Sequence, residues 1–199
     1  MRKQQSGFTA IEIAIAVVVI GILGLVGWTV MGRKSTTSKN NDNPSTVITK
    51  ESGACFGVSK ATVKSLLGEP ANNLQGPSDT GIVDIGKGDK AQTCVYPFAA
   101  GATATNSFTI DLGTYANQAN LDASQKYVVN DGGAVEGLGD SASYTAKDAA
   151  ISNSRDFVLA VRQGLKIYTF GISQPTNALT YNDASAQRVL IQIAQAATL

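Results

Sequence analysis

The sequence predicts an α+β protein: an N-terminal transmembrane helix, a flexible polar linker, then a small extracytoplasmic α+β head with a mainly antiparallel sheet. Three observations carry this division of the 199 residues. A run of twenty uncharged residues, "IAIAVVVIGILGLVGWTVMG" from Ile13 to Gly32, stands near the start. A stretch rich in Ser, Thr, Asn and Lys follows it, over residues 33–53. Beyond Gly53, segments alternating apolar with polar residues are interleaved with segments of helical periodicity, the order expected when helices pack on an antiparallel sheet.

The apolar run comes first. At about 1.5 Å per residue it spans roughly 30 Å as a helix, the thickness of a bilayer's hydrocarbon core. A helix buried in a soluble core would show a polar stripe; this one is apolar all round apart from Gly21, Gly24, Gly27 and Thr29. Trp28 lies near its far end, where an indole suits the membrane interface. A cleaved secretory signal has a shorter apolar core and a small-x-small cleavage site, whereas this run ends "GWTVMGRK".

Orientation does not follow from charge, because Arg2 and Lys3 precede the run while Arg33, Lys34 and Lys39 follow it. The cysteines help. Cys55 and Cys94 are the chain's only two, both downstream of the run, and an isolated pair fits a disulfide in an oxidising compartment. Two buried free thiols are the alternative. The preferred topology places the N-terminus in the cytoplasm and the head outside, with the chain in the inner or cytoplasmic membrane.

Glu12 then stands out, a carboxylate at the lip of the apolar run. On insertion scales such a group costs roughly 2.5 to 3.5 kcal/mol at mid-membrane and less at the interface. An ionisable residue so placed asks for a partner. The segment "RKQQSGFTAIEIAIAVVVIGILGLVGW" resembles the N-terminus of type IV prepilins and pseudopilins: a short basic leader, Gly, Phe, Thr, two residues, Glu, then a long apolar helix. The resemblance covers about the first thirty residues. It implies that residues 1–7 are a leader and 8–32 the transmembrane and assembly helix. A prepilin peptidase would cut on the cytoplasmic side between Gly7 and Phe8 and N-methylate the new terminus. Glycine before the scissile bond removes side-chain bulk and leaves the backbone accessible. The new α-amine would pair with Glu12 of a neighbouring subunit, so that two groups costly in lipid neutralise one another during assembly. The implied partners are the peptidase, other pilin subunits, the assembly platform and membrane lipid. The implied destination is a surface filament, serving a pilus or a secretion system.

Behind the membrane segment the sequence departs from the family, whose helix continues as the spine of the head. Residues 33–53, "RKSTTSKNNDNPSTVITKESG", carry no helical stripe, and Pro44 would break one, so a linker is expected; a continuous stem of poor propensity is the alternative. The head, residues 54–199, opens with a short helix in "KATVKSLLGEP", capped by Ser59 and stopped by Gly68 and Pro70. A long Gly/Asn/Asp-rich connection leads to a strand "TCVYPF" around Cys94, then to the strand "SFTIDLG". "TYANQANLDASQKYVV" reads as a helix capped by Thr114. "DFVLAVRQ" and "LKIYTFGI" flank Gly164 as a hairpin. The chain closes on a helix whose apolar face is Ala186, Val189, Leu190, Ile193 and Ala197.

No catalytic constellation is present, and the expected protein is not an enzyme. The chain has no histidine, which excludes a Ser-His-Asp triad and a His-ligated metal. "GLGDSA" (Gly137 to Ala142) formally matches a dinucleotide fingerprint but lacks the strand and long helix that such a site needs, and reads as a tight turn. Asp79, Asp84 and Asp89 do not have the spacing of an EF-hand loop and read as a solvated loop, so no metal and no cofactor is expected. Residues 1–50 carry a net charge of +4 and residues 51–199 a net charge of −3. A mildly acidic head gives no reason to expect nucleic acid as a partner. The expected function is therefore a type IV pilin-like subunit, a minor pilin or pseudopilin. The alternative is a membrane-anchored extracytoplasmic module that binds a ligand or partner and does not polymerise.

Overall fold

The computed structural model describes residues 54–128 and 132–199. The chain divides into two compact units, Met1–Val47 and Ile48–Leu199, and the described residues belong to the second. The membrane helix expected over residues 8–32 and the linker over 33–53 lie outside the described residues. Among those described, no helix is long and apolar enough to cross a membrane.

The head is α+β, as its sequence indicates. It opens on a two-stranded hairpin, β1 (Ala54–Cys55) and β2 (Val58–Ser59), pairing Cys55 with Val58. Both residues of its turn have positive φ, Phe56 at 51° and Gly57 at 80°, the backbone that a two-residue hairpin requires. Gly57 has a second reason to lack a side chain: a Cβ there would run into the Thr198 hydroxyl. Helix α1 (Lys60–Leu67) follows, capped by the Ser59 hydroxyl, which accepts from the Thr62 amide at 3.1 Å. Gly68, at φ 74°, ends it, and Pro70 lies in the 3-10 turn beyond (Glu69–Ala71).

The remaining strands form one eight-stranded antiparallel sheet: β3 (Ser78–Asp79), β4 (Val83–Gly86), β5 (Asp89–Pro97), β6 (Ser107–Thr114), β7 (Gly133–Val135), β8 (Ser141–Ala149), β9 (Ser154–Gln163) and β10 (Lys166–Pro175). Their order is β3-β5-β6-β10-β9-β8-β7, with β4 also pairing with β5. The β9–β10 hairpin turns at Gly164 as expected, in register from Gln163–Lys166 to Ser154–Pro175. Two expectations are corrected. The Gly/Asn/Asp-rich connection contains the strands β3 and β4, and β5 begins inside it. Helix α2 (Gln118–Val128) starts later than expected: its first turn is capped by the Asn117 side chain, which accepts from the Asn120 amide, whereas Thr114 is the last residue of β6. Strand β8 is an element that the periodicity does not announce.

Alternation sorts the sheet into two faces. Tyr96, Phe108, Ile110, Phe157, Leu159, Val161, Phe170 and Ile172 point to one face and are fully buried there. Helix α3 (Asp183–Ala196) lies on that face, packed on β9, β10 and α1. It buries Ala186, Val189, Leu190, Ile193 and Ala194, with Ala197 at its C-cap, and Asn182 and Ser185 form a reciprocal cap at its start. The opposite face is covered over a smaller area, where Leu121 of α2 meets Ala160 and Ile167. "GLGDSA" is a turn in its first part. Leu138 is buried, Gly139 passes so close to the Arg162 carbonyl that a Cβ would clash with it, and Ser141 already belongs to β8.

Candidate functional site

The head's chemistry concentrates at the point where the chain enters it. Cys55 and Cys94 are bonded, joining β1 to the interior of β5 across 39 residues of sequence, and both are buried. Asp79, which pairs with Cys94 across β3 and β5, brings a carboxylate oxygen to within 4.8 Å of the two sulfurs. The sulfurs are committed to one another, so this trio offers no thiolate to a metal. The Asp79 carboxylate is held by the Gly81 amide at 2.8 Å and the Gln92 side-chain amide at 3.0 Å. Asp84 accepts from the Gly86 amide, and Asp89 from the Ala116 amide and the Asn120 side chain. Each of the three aspartates is thus spent on its own local turn or junction. Gly7, Phe8 and Glu12, the residues expected to carry processing and assembly, lie outside the described residues.

Around the entry point the N-terminal segment is fastened by side-chain packing and single hydrogen bonds rather than by a ladder to the eight-stranded sheet. The Phe56 ring meets Tyr168 edge-on at 6.2 Å, and the Phe56 carbonyl accepts from the Thr198 amide. The Tyr181 hydroxyl donates to the Leu67 carbonyl at 2.6 Å, and the Gln75 amide donates to the Pro97 carbonyl. Burial pushes the Tyr181 phenol well above its ordinary range and that of Tyr96 up to about 12. Both are therefore neutral donors at any physiological pH.

Two exposed surfaces are of the kind that meets partners, and neither is evident from the sequence pattern. Strand β4 pairs on one side only, and Ile82 (73% exposed), Val83 and Ile85 stand out along it. Edge strands are usually protected by charge or by twisting away; here a register shift at Asp84–Gly86 supplies some of that protection. At the β8–β9 turn Ile151 is 96% exposed, with half-exposed Leu179 on the neighbouring β10–α3 loop, which the Thr176 amide ties to the Asn153 carbonyl. Arg155 braces this end: its guanidinium donates to Asp148 and to Asp183, linking β9 to β8 and to the first turn of α3. These two carboxylates raise its pKa further above an already high value.

Among the described residues Asp111 is the one carboxylate with a clearly shifted titration. It stands in the middle of β6 between Thr93 and Thr169, half-buried on the less covered face of the sheet. Loss of water around it raises its pKa, and a hydrogen bond with the Thr93 side chain opposes part of the rise. A carboxyl that holds its proton more tightly folded than unfolded costs stability as pH rises from the unfolded value, near 3.8, through the folded one. Asp111→Asn should accordingly raise the denaturation midpoint at pH 7 and leave it unchanged below pH 3. An equal midpoint at pH 7 would contradict the burial penalty.

The disulfide pair is legible in the sequence, and the structure brings those two residues together. Asp111 and the exposed aliphatics are not, because both depend on which strands lie side by side. Compared with protein-family models, with curated proteins and with solved structures, the chain matches none of them.

Proposed function

We propose that this chain is a type IV pilin-like subunit: inserted in the membrane by residues 8–32, cut between Gly7 and Phe8, and assembled into, or priming, a surface filament with its head outside the cytoplasm. The observation that carries the reading is "GFTAIE" set immediately before twenty uncharged residues. The described head supports it in a general way. A disulfide-bonded α+β unit is the kind of domain that persists in an oxidising compartment.

In this reading Glu12 is retained because the α-amine of a neighbouring Phe8 neutralises it as subunits pack in lipid. Glu12→Ala should leave cleavage largely intact while incorporation into filaments drops at least tenfold, as measured by immunoblotting sheared filaments against the membrane fraction. Unchanged incorporation would refute the pairing.

A second reading, an anchored binding module that does not polymerise, is favoured by the composition of residues 33–53. A linker of that composition sets a head at a distance from its anchor and leaves its exposed surfaces free to engage a partner. The two readings share the tether and differ in whether the N-terminus is cut and the chain is found in filaments.

A further inference from the structure

We propose that the Cys55–Cys94 bridge is a mechanical clamp, carrying tension that arrives along the N-terminal tether directly into β5 and leaving residues 56–93 outside the path of force. The inference rests on the reading that the head is tethered through its N-terminus. It requires neither cleavage nor polymerisation.

Without the bridge, tension on Ala54 would first meet β1–β2, a ladder of two residue pairs separate from the main sheet. It would then meet α1, whose main contacts are with α3, the neighbouring strand β2 and the adjoining 3-10 turn. Among the described residues, the first main-chain ladder joining this segment to the eight-stranded sheet is Ser78–Val95 in β3. Up to that point the attachment consists of buried side chains, among them Val63 and Leu67, and separate hydrogen bonds such as Tyr181 to Leu67. Such contacts lie one behind another along the chain. A pull from the N-terminus loads them singly and peels them in order, each at low force.

The bridge changes the order. Cys55 precedes β2, α1 and the 3-10 turn in the chain, so all of these lie beyond it. Its partner Cys94 sits inside β5, opposite Ile110 of β6 on one side and Asp79 of β3 on the other. Strand β5 is in register with β6 over eight residue pairs, Lys90–Thr114 to Pro97–Ser107, and β6 in turn with β10. Force delivered at Cys94 therefore loads many ladder hydrogen bonds at once instead of one contact at a time.

The far end of the head lies in line with this route. Helix α3 runs from Asp183, beside Arg155 and Asp148, to a C-terminus where the Thr198 amide meets the Phe56 carbonyl. Its fourteen residues, at about 1.5 Å each, separate the entry hairpin from the β8–β9 turn by roughly 20 Å. A partner held at Ile151 would pull against the tether through β5, β6, β10 and β9.

The test is single-molecule stretching of the full-length chain in detergent, with one handle inserted in the linker after Asn43 and the other in the β8–β9 turn after Ile151. With the bridge intact, extension should show no step before the sheet itself gives way. After reduction in place with dithiothreitol, an added early step of about 60 Å should appear at lower force, the contour of residues 56–77 at roughly 3.3 Å per residue less the roughly 10 Å that already separates Cys55 from β3 through Cys94. A Cys55→Ser/Cys94→Ser chain should show the same step; if that chain does not fold, reduction of a molecule already tethered gives the answer alone. A reduced chain that opens in a single event at the force of the oxidised one would overturn the proposal. So would an oxidised chain that shows the early step. Neither result depends on processing, so failure of the clamp is distinct from failure of the pilin-like reading.

Discussion

Removing the Cys55–Cys94 bridge, by reduction or as Cys55→Ala/Cys94→Ala, lowers the stability of the head by roughly 4 kcal/mol, the chain-entropy value for a loop of this length. The bridge spans 39 residues, a loop that holds the β1–β2 hairpin, α1 and the β4–β5 hairpin. In the chain-entropy picture the loss arises in the unfolded chain, which gains the freedom the bridge removes. Guanidinium titration of the oxidised and reduced full-length chain measures it. A loss below about 1 kcal/mol would mean that the unbridged chain stays compact enough for closure to matter little.

Leu190→Ala is expected to cost roughly 2 to 5 kcal/mol, the range for truncating a fully buried leucine. Leu190 lies on α3 without solvent exposure, within the main core. Helix α3 supports α1 as well as the sheet, so a cavity under it loosens the N-terminal segment that carries Cys55. Gln192→Ala, on the exposed side of the same helix, should change stability by less than about 0.5 kcal/mol. Equal effects from the two substitutions would contradict the placement of the core.

Those residues also mark how much of the head is legible in its sequence. The face of α3, the Ser59 cap and the hairpin about Gly164 can all be read because each is a local pattern: a stripe, a capping side chain, two alternating runs around a turn. Strand β8 escapes such reading. Its inward residues are Ala142, Tyr144 and Ala146 and its outward ones Ser141, Ser143, Thr145 and Lys147, so the alternation is shallow. What makes it a strand is the ladder that β9 offers from Ser141–Arg162 to Ala149–Ser154. Strands β3 and β4 depend on β5 in the same way, within a stretch whose glycines and aspartates signal turns. Thr114 and Asn117 are both suitable caps; the ladder from β6 to β10 extends as far as Thr114 and leaves Asn117 to start the helix.

The candidate site divides along the same line. The disulfide is readable because the chain offers a single possible pair. The exposed aliphatics of β4 and of the β8–β9 turn are not, since an isoleucine looks the same in sequence whether or not another element covers it. "GFTAIE" is local chemistry written in six consecutive residues, which is why a function can be proposed from residues 7, 8 and 12 while the head supplies only a setting for it.

The proposed function therefore turns on a single bond, the one between Gly7 and Phe8. Intact-mass and N-terminal analysis of the protein extracted from membranes of cells that carry a prepilin peptidase tests it most directly. The expected chain begins at Phe8 with a methylated α-amine; a mature chain still beginning at Met1 would contradict the pilin-like reading.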